Sequence, residues 1–348
     1  MPKPLTLRVP APSLRAPGGV AFACLALACL ALALFCGIEP ARAAEPAPAP
    51  APIDLRPRFA AGRASRFETW SKQVRSITTF VNGQKRAEST STSIITTGMR
   101  WRVDSVQPDG SAQCTYTVEW VRMETQKTVG DDDGEEPGVV DTRQPSDHPA
   151  FGFFKALTDS PLKANMRADG TVASIEGAEA IKARMNEDES AFAPDALDWM
   201  EMVSDLATVP GAPAEAAPSG PWEHEASWNH DVMGQRVGRN IQKASFTLQG
   251  VESVSGIPVA TITANGTQRL EADLSALPEG GQGLQVSLPE GRFTQQIMVD
   301  LQRHEVVGRH STEAQTTRIE RAAGEVTVAQ VIRELNVGQV LRVAEEGD

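Results

Sequence analysis

Histidine and carboxylate side chains, which can bind a metal ion or transfer a proton, occur together in three segments of the sequence. The three segments contain His224 and His230 with Glu223 and Glu225, the acidic run 131–136, and His304 and His310 with Glu305. Each segment has the residue types of a metal site or an acid–base pair. The spacing within each segment therefore decides whether such chemistry is to be expected.

The spacing argues against a metal site. His224 and His230 share one face of a predicted strand, but six residues at roughly 3.3 Å each separate them by about 20 Å. In the acidic run, the first and twelfth positions of a calcium-binding EF-hand loop would be Val129 and Val140, which supply no carboxylate. We therefore expect no bound metal, and a solvated loop at 131–136.

Motifs for nucleophilic catalysis and phosphate binding are also missing. No serine stands in a G-x-S-x-G elbow, and neither His304 nor His310 has a nucleophile motif near it. The glycine-rich run 280–283 precedes a predicted strand, so no helix follows to bind a phosphate. We expect no catalytic residue and no cofactor, and no ligand-binding residue can be identified from the sequence. A hydrolase whose carboxylates meet only in the folded chain remains the lowest alternative.

Cys114 is the one cysteine beyond residue 43, so the processed protein has no internal disulfide. It alternates with Tyr116 and Val118 on an apolar strand face, which predicts a buried thiol and not a reactive one. Five tryptophans on predicted strands favour core positions over a ligand cleft, because aromatic area fills a one-sided sheet. They are Trp70, Trp101, Trp120, Trp222 and Trp228.

The N-terminus carries the features of a bacterial export signal. Basic residues without acids occupy 1–19, an unbroken apolar run follows at 20–38, and Ala41-Arg42-Ala43 has the small-x-small pattern that signal peptidase cleaves. We predict cleavage after Ala43 and a periplasmic or secreted product. The length of the apolar run leaves open a membrane tether through uncleaved residues 20–38. A lipid anchor on Cys36 is less favoured, since bulky residues precede it.

The charge of the processed chain argues against nucleic acid as a partner. Removal of residues 1–43 takes away four basic residues and one acidic residue, so the net charge changes from −12 to −15. A surface this acidic repels phosphate backbones and anionic lipid headgroups.

Alternating apolar and polar residues predict a β-rich domain at 66–348, after a disordered Pro/Ala-rich tether at 44–65. Turn signals at Asn82-Gly83 and at 108–110 join three long strands, and a shorter hairpin follows at 161–175. Helices are predicted at 177–186 and 195–207, after the N-terminal strands at 66–176. Further strands are predicted at 222–343. Ser255-Gly256 is predicted to turn between two of them.

The predicted fold class is mainly β (α+β). We expect long antiparallel strands in a curved open half-barrel or sandwich, because one-sided alternation requires a cover for the apolar face. The two central helices at 177–207 are the expected cover of this apolar face.

Several segments resemble a family of exported bacterial proteins known only as a domain of unknown function. The matching segments are RFETW, VNGQKRAESTST, MRWRVDSVQPDGSA with VRMETQ, ADGTVASIEG, and GRFTQQIMVDLQRHEVVGRHSTEAQTT. The resemblance spans about residues 66–343 and implies no activity and no site residues. The acidic run at 130–136 is longer than the loop usual in that family.

These observations favour a non-enzymatic envelope protein of unknown role. A half-barrel lidded by helices suggests an apolar ligand or lipid in its cleft, by analogy of fold alone. The alternative is a protein–protein interaction scaffold whose long strands present an edge to an envelope partner. The oligomeric state is left open.

Overall fold

The computed structural model describes residues 52–129, 138–187, 203, 208–218, 220–232, 235–272, 284–287, 290–323 and 326–343. The predicted signal at 1–43, the acidic run at 131–136 and the glycine-rich run at 280–283 lie outside these residues. So does the predicted helix at 195–207, apart from Val203.

The described residues form thirteen strands and two helices. In chain order these are β1 (Ala64–Val81), β2 (Gln84–Val106), β3 (Ala112–Val129), β4 (Gly138–Asp141), α1 (Phe151–Thr158), β5 (Leu162–Met166), β6 (Val172–Glu176), α2 (Ala178–Glu187), β7 (Pro221–Val232), β8 (Gln235–Val254), β9 (Ile257–Ala272), β10 (Leu284–Ser287), β11 (Gly291–Asp300), β12 (Glu305–Ala323) and β13 (Val326–Val343).

Two hairpins have the turn chemistry that the sequence predicts. Asn82 and Gly83 have φ values of 50° and 78°, and Ser255 and Gly256 have values of 54° and 86°. Two consecutive positive φ angles match the right-handed twist of the flanking strands, and glycine adopts them without steric cost. The Asn82 side chain also accepts a hydrogen bond of 2.8 Å from the backbone amide of Thr327, which connects the β1–β2 turn to β13.

The described strands form one antiparallel sheet that is not closed, which confirms the predicted open antiparallel architecture. Its order is β6-β5-β3-β2-β1-β13-β12-β11-β9-β8-β7, with β4 paired to β3 and β10 paired to β12. The first and last strands meet at the centre, where Arg66 of β1 pairs with Val343 of β13 and Val81 pairs with Val328. No local pattern in either strand predicts this pairing.

One face of the sheet carries two hydrophobic cores. The N-terminal core lies on β1 to β6 and includes Phe67, Trp101 and Tyr116. Helix α1 covers it with Phe153 and Phe154. Helix α1 is therefore a covering helix.

The C-terminal core lies on β8, β9, β11 and β12 and has no helix over it among the described residues. It includes Leu248, Ile262 and Ile297, and its cover includes Leu55 and Val209 from irregular segments. Ile53 pairs with Ala216 in an isolated bridge that joins these segments.

The predicted cover of two central helices is not confirmed. Helix α2 contributes Ile181 to the N-terminal core, and Val203 also belongs to that core. The predicted tether needs a correction, because it ends earlier than residue 65. Leu55 is 2% exposed, and β1 begins at Ala64. The segment before β1 is therefore packed on the sheet, where it covers apolar side chains.

Candidate functional site

A group of buried polar side chains, here termed the polar seam, lies between the two cores. It begins where β11 ends at Asp300, which is 1% exposed. Asp300 Oδ1 accepts hydrogen bonds from the backbone amides of Gln302 and Arg303, at 2.8 and 3.0 Å. These bonds form the turn into β12, because a short carboxylate can satisfy the amides two and three residues later. The turn places Glu305 at the first position of β12.

Cationic side chains from distant parts of the chain complete the polar seam. Arg342 Nη1 of β13 lies 3.7 Å from Asp300 Oδ2 and 3.8 Å from Glu305 Oε2. Arg63 Nη1 donates to the backbone carbonyls of Arg303 and Arg58, at 2.6 and 3.0 Å. The polar seam therefore joins the segment before β1 to the β11–β12 turn and to β13.

Arg309 extends the polar seam toward the C-terminal core. It is 4% exposed, and its Nη2 donates a hydrogen bond of 2.8 Å to the backbone carbonyl of Thr208. This bond holds the segment that covers the C-terminal core through Val209. The polar seam therefore helps to hold the cover of the C-terminal core in place.

Burial raises the pKa of Glu305, although the Ser65 hydroxyl and the positive charge of Arg342 act in the opposite direction. Burial also lowers the pKa of His304, with a further contribution from Arg58. Both residues line a cavity of about 20 Å³ beside Trp101 and Phe59. A water molecule needs roughly 10–15 Å³, so the cavity has room for one water and not for an organic ligand.

Replacement of Glu305 by glutamine is expected to make the free energy of unfolding depend less on pH above about pH 4.5. The pKa of Glu305 in the folded protein lies above its ordinary value of 4.5, so the folded protein binds a proton more tightly than the unfolded chain does. The contribution of Glu305 to stability is therefore complete below pH 4.5 and is lost as the pH rises through the folded pKa. Urea unfolding at several pH values measures this slope.

The matched control is Glu252→Gln, which changes an exposed glutamate of β8. We expect its stability to follow the same pH dependence as that of the unchanged protein. If the curve for Glu305→Gln also ran parallel to that of the unchanged protein, Glu305 would not titrate as its burial implies.

A second feature, here termed the outer-face depression, lies on the face opposite the two cores. It has a volume of about 440 Å³, is open to solvent and crosses β8, β9, β11 and β12. Alternation along the strands places these side chains outside: Thr263 lies between buried Ile262 and Ala264, and Gln296 precedes buried Ile297. The side chains at outer-face positions are Gln249, Thr263, Asn265, Thr294, Gln296 and His310.

Strand register aligns several of these residues in one row across the sheet. His310 lies opposite Gln296, which lies opposite Thr263. In the other direction, His310 lies opposite Gln339, which lies opposite Trp70 of β1. The long pairing of β1 with β13 thus extends the row from the C-terminal strands to the N-terminal ones.

The structure does not bring the predicted histidine pairs together as sites. His304 lies in the β11–β12 turn with a φ of 52°, not on a strand, while His310 lines the outer-face depression. His224 of β7 is half-buried next to Gly211, and burial lowers its pKa. The side chain of His230 lies outside the described residues. Among the described residues, no group of three or more His, Cys, Asp or Glu side chains comes close enough to hold a metal ion.

The buried positions of Cys114 and Trp101 agree with the sequence interpretation. Cys114 is 1% exposed in the N-terminal core, and burial raises its pKa to about 12, which keeps the thiol protonated. Trp101 belongs to the same core, and Trp222 packs on the C-terminal core, where it stacks on Phe246 with ring centroids 5.6 Å apart. Trp120 lies under the guanidinium of Arg143 at 4.4 Å.

Sequence reasoning missed most of the polar seam. Charged residues such as Asp300, Arg309 and Arg342 are usually exposed, so the sequence does not mark them as buried. Only Glu305 was considered, because it lies between His304 and His310. The outer-face depression was missed as well, except for His310. Its signal in the sequence is the neutral polar residues of 261–265, which alternate with apolar ones, and the neutral polar run at 294–296.

No protein-family model matches the chain, and no curated protein matches it. Similar solved structures include an outer membrane channel from Pseudomonas putida, with 9% identity, a TM-score of 0.23, and coverage of 83% of this chain and 98% of that chain. Another is the outer membrane protein OprG from Pseudomonas aeruginosa, with 7% identity, a TM-score of 0.21, and coverage of 82% and 99%. Similarity at this level identifies no shared function.

The described residues contain two helices, and neither is long and apolar enough to cross a membrane.

Proposed function

We propose that this chain is an exported, non-enzymatic protein of the bacterial cell envelope that binds its partner on the open surface of its sheet. The observation that carries the proposal is the contrast between the two faces. One face is packed against two cores, and the opposite face opens to solvent at the outer-face depression on β8, β9, β11 and β12. Such a protein is an interaction scaffold that binds its partner through the outer face of its sheet more than through a strand edge.

The packing of the inner face favours this scaffold over a carrier of lipids. Leu248, Ile262 and Ile297 are fully buried on the C-terminal strands, and Tyr116 is 1% exposed on the N-terminal ones. The cavity at the polar seam has about 20 Å³, whereas pockets for small ligands have about 300–1,000 Å³. An acyl chain would have to displace these packed side chains.

Export is supported by the sequence of residues 1–43. A basic segment, an apolar run and an Ala41-Arg42-Ala43 cleavage pattern occur in the order that the secretion machinery requires. The lone buried Cys114 is compatible with an oxidising compartment, because it has no second cysteine to pair with after cleavage.

Expression of the full chain in a Gram-negative bacterium is expected to yield a periplasmic protein that begins at Ala44 and carries no lipid. Intact-mass spectrometry of the purified protein gives the N-terminus. Solvent extraction followed by mass spectrometry measures the lipid content.

A cytoplasmic product that keeps residue 1 would overturn the proposed location. Stoichiometric lipid in the extract would overturn binding on the open surface and restore the carrier hypothesis. Deletion of 20–38 is the matched control, because it removes the export signal and leaves every described residue in place.

A further inference from the structure

We infer that the outer-face depression is a binding site for a neutral saccharide. This goes beyond the proposed function, because it names a chemical class of ligand and the residues that recognise it. The inference rests on the charge, the hydrogen-bonding groups and the shape of this part of the outer face.

The first argument is the absence of charge. Among the residues that line the outer-face depression, none is Asp, Glu, Lys or Arg. The N-terminal part of the same face is different, since it carries ion pairs between Arg66 and Glu119 at 3.1 Å and between Arg102 and Asp104 at 2.7 Å. A surface without fixed charge on an acidic protein gives no electrostatic advantage to an ionic ligand.

The second argument is the type of hydrogen-bonding group. Side-chain amides offer both donors and an acceptor, and threonine hydroxyls offer one donor and two lone pairs. Gln249, Asn265 and Gln296 supply the amides. Sugar hydroxyl groups are also donors and acceptors at once, so adjacent hydroxyls on a pyranose ring match a planar amide. The carbon skeleton of an apolar ligand would leave these groups without partners, which costs binding free energy.

The third argument is preorganisation and shape. Gln249 Nε2 donates a hydrogen bond of 2.7 Å to Thr263 Oγ1, which fixes two of the side chains before a ligand arrives. Adjacent strands are about 4.8 Å apart, close to the length of one pyranose unit. The row through His310 and Gln339 to Trp70 therefore offers one side chain to each successive sugar of an extended chain. An indole ring at one end can pack on the apolar C–H face of a sugar.

The experiment measures binding of defined hexasaccharides to the purified protein. The neutral probes are cellohexaose, maltohexaose and hexa-N-acetylchitohexaose, and the charged probe is hexagalacturonate. Isothermal titration calorimetry is carried out on the unchanged protein, on Asn265→Ala/Gln296→Ala, and on Gln330→Ala. Gln330 is an exposed glutamine of β13 that lies outside the depression, so it is the matched control.

We expect saturable binding of at least one neutral hexasaccharide. The double substitution should weaken it by about tenfold or more, since two hydrogen-bonding groups are lost, and Gln330→Ala should change it by less than about twofold. All replaced side chains are exposed, and urea unfolding verifies that each variant folds.

Three results would overturn the inference: no neutral probe binds at roughly 10 mM, hexagalacturonate binds more tightly than every neutral probe, or the double substitution leaves binding unchanged. Each of them leaves the proposed function in place, because that proposal is contradicted by co-purified lipid and not by the saccharide titration.

Discussion

Replacement of Arg342 by methionine is expected to lower the free energy of unfolding at neutral pH by about 3–5 kcal/mol. The Arg342 side chain is 13% exposed and lies within 4 Å of two carboxylates, Asp300 at 3.7 Å and Glu305 at 3.8 Å. Methionine keeps much of the volume but removes the positive charge. Asp300 and Glu305 would then lose the positive charge that lies within 4 Å of both, and removal of one partner from a buried ion pair costs more than the pair contributes.

The matched control is Arg318→Met on β12. Arg318 pairs with Glu320 at 2.8 Å, but its side chain is 55% exposed, so its loss should cost about 0–1 kcal/mol. Equilibrium unfolding in urea gives both values. A cost below about 1 kcal/mol for Arg342→Met, similar to that of the control, would show that the polar seam contributes little to stability.

Two further variants keep the test decisive if Arg342→Met fails to fold. Arg342→Lys retains the charge and should lose less stability than the methionine variant. Arg342→Met combined with Glu305→Gln should recover part of the loss, because one of the two buried charges is removed. Since Glu305 and Arg342 share contacts, the two substitutions are expected to be non-additive.

Local features of this fold could be predicted from the sequence because short-range chemistry determines them. Asn82-Gly83 and Ser255-Gly256 are turns for steric reasons that involve only these residues, and both have the positive φ angles that such turns require. Strand bounds follow from alternation in the same way. Three long strands are predicted around the turns at Asn82-Gly83 and 108–110, and β1, β2 and β3 are the strands that these turns join.

Long-range features could not be predicted, because no local pattern encodes them. The pairing of β1 with β13 joins residues more than two hundred positions apart, and the sequence of neither strand identifies its partner. The same holds for the two cores. One-sided alternation indicates that an apolar face exists, but it does not say whether helices or irregular segments cover it.

The polar residues of both candidate sites show the same limit. Arg342 lies between apolar residues and has the pattern of an exposed position. Its side chain is nevertheless only 13% exposed, because it lies next to Asp300 and Glu305 of the β11–β12 hairpin. Gln296 and His310 are adjacent only through the register of β11 and β12. Composition alone therefore identifies neither the buried charges nor the uncharged outer surface.

The segment before β1 provides the second large effect, in Leu55→Ala. Leu55 is 2% exposed and packs in the C-terminal core with Val209 and Ala216. Replacement of a buried leucine by alanine costs about 2–5 kcal/mol, from lost transfer free energy and the cavity that remains. A disordered tether, which the Pro/Ala-rich composition of 44–65 predicted, would give no change at all.

The control for Leu55→Ala is Arg56→Ala, at the next position of the same segment. Arg56 pairs with Asp54 at 3.0 Å, and this contact lowers the pKa of Asp54 to about 2, but the Arg56 side chain is 46% exposed. Its removal should change the free energy of unfolding very little at neutral pH, because solvent screens an exposed ion pair. If Leu55→Ala cost no more than Arg56→Ala in urea unfolding, residues 52–63 would be a tether after all, and the C-terminal core would be stable without this cover. If it costs several times more, the folded domain begins before its first strand.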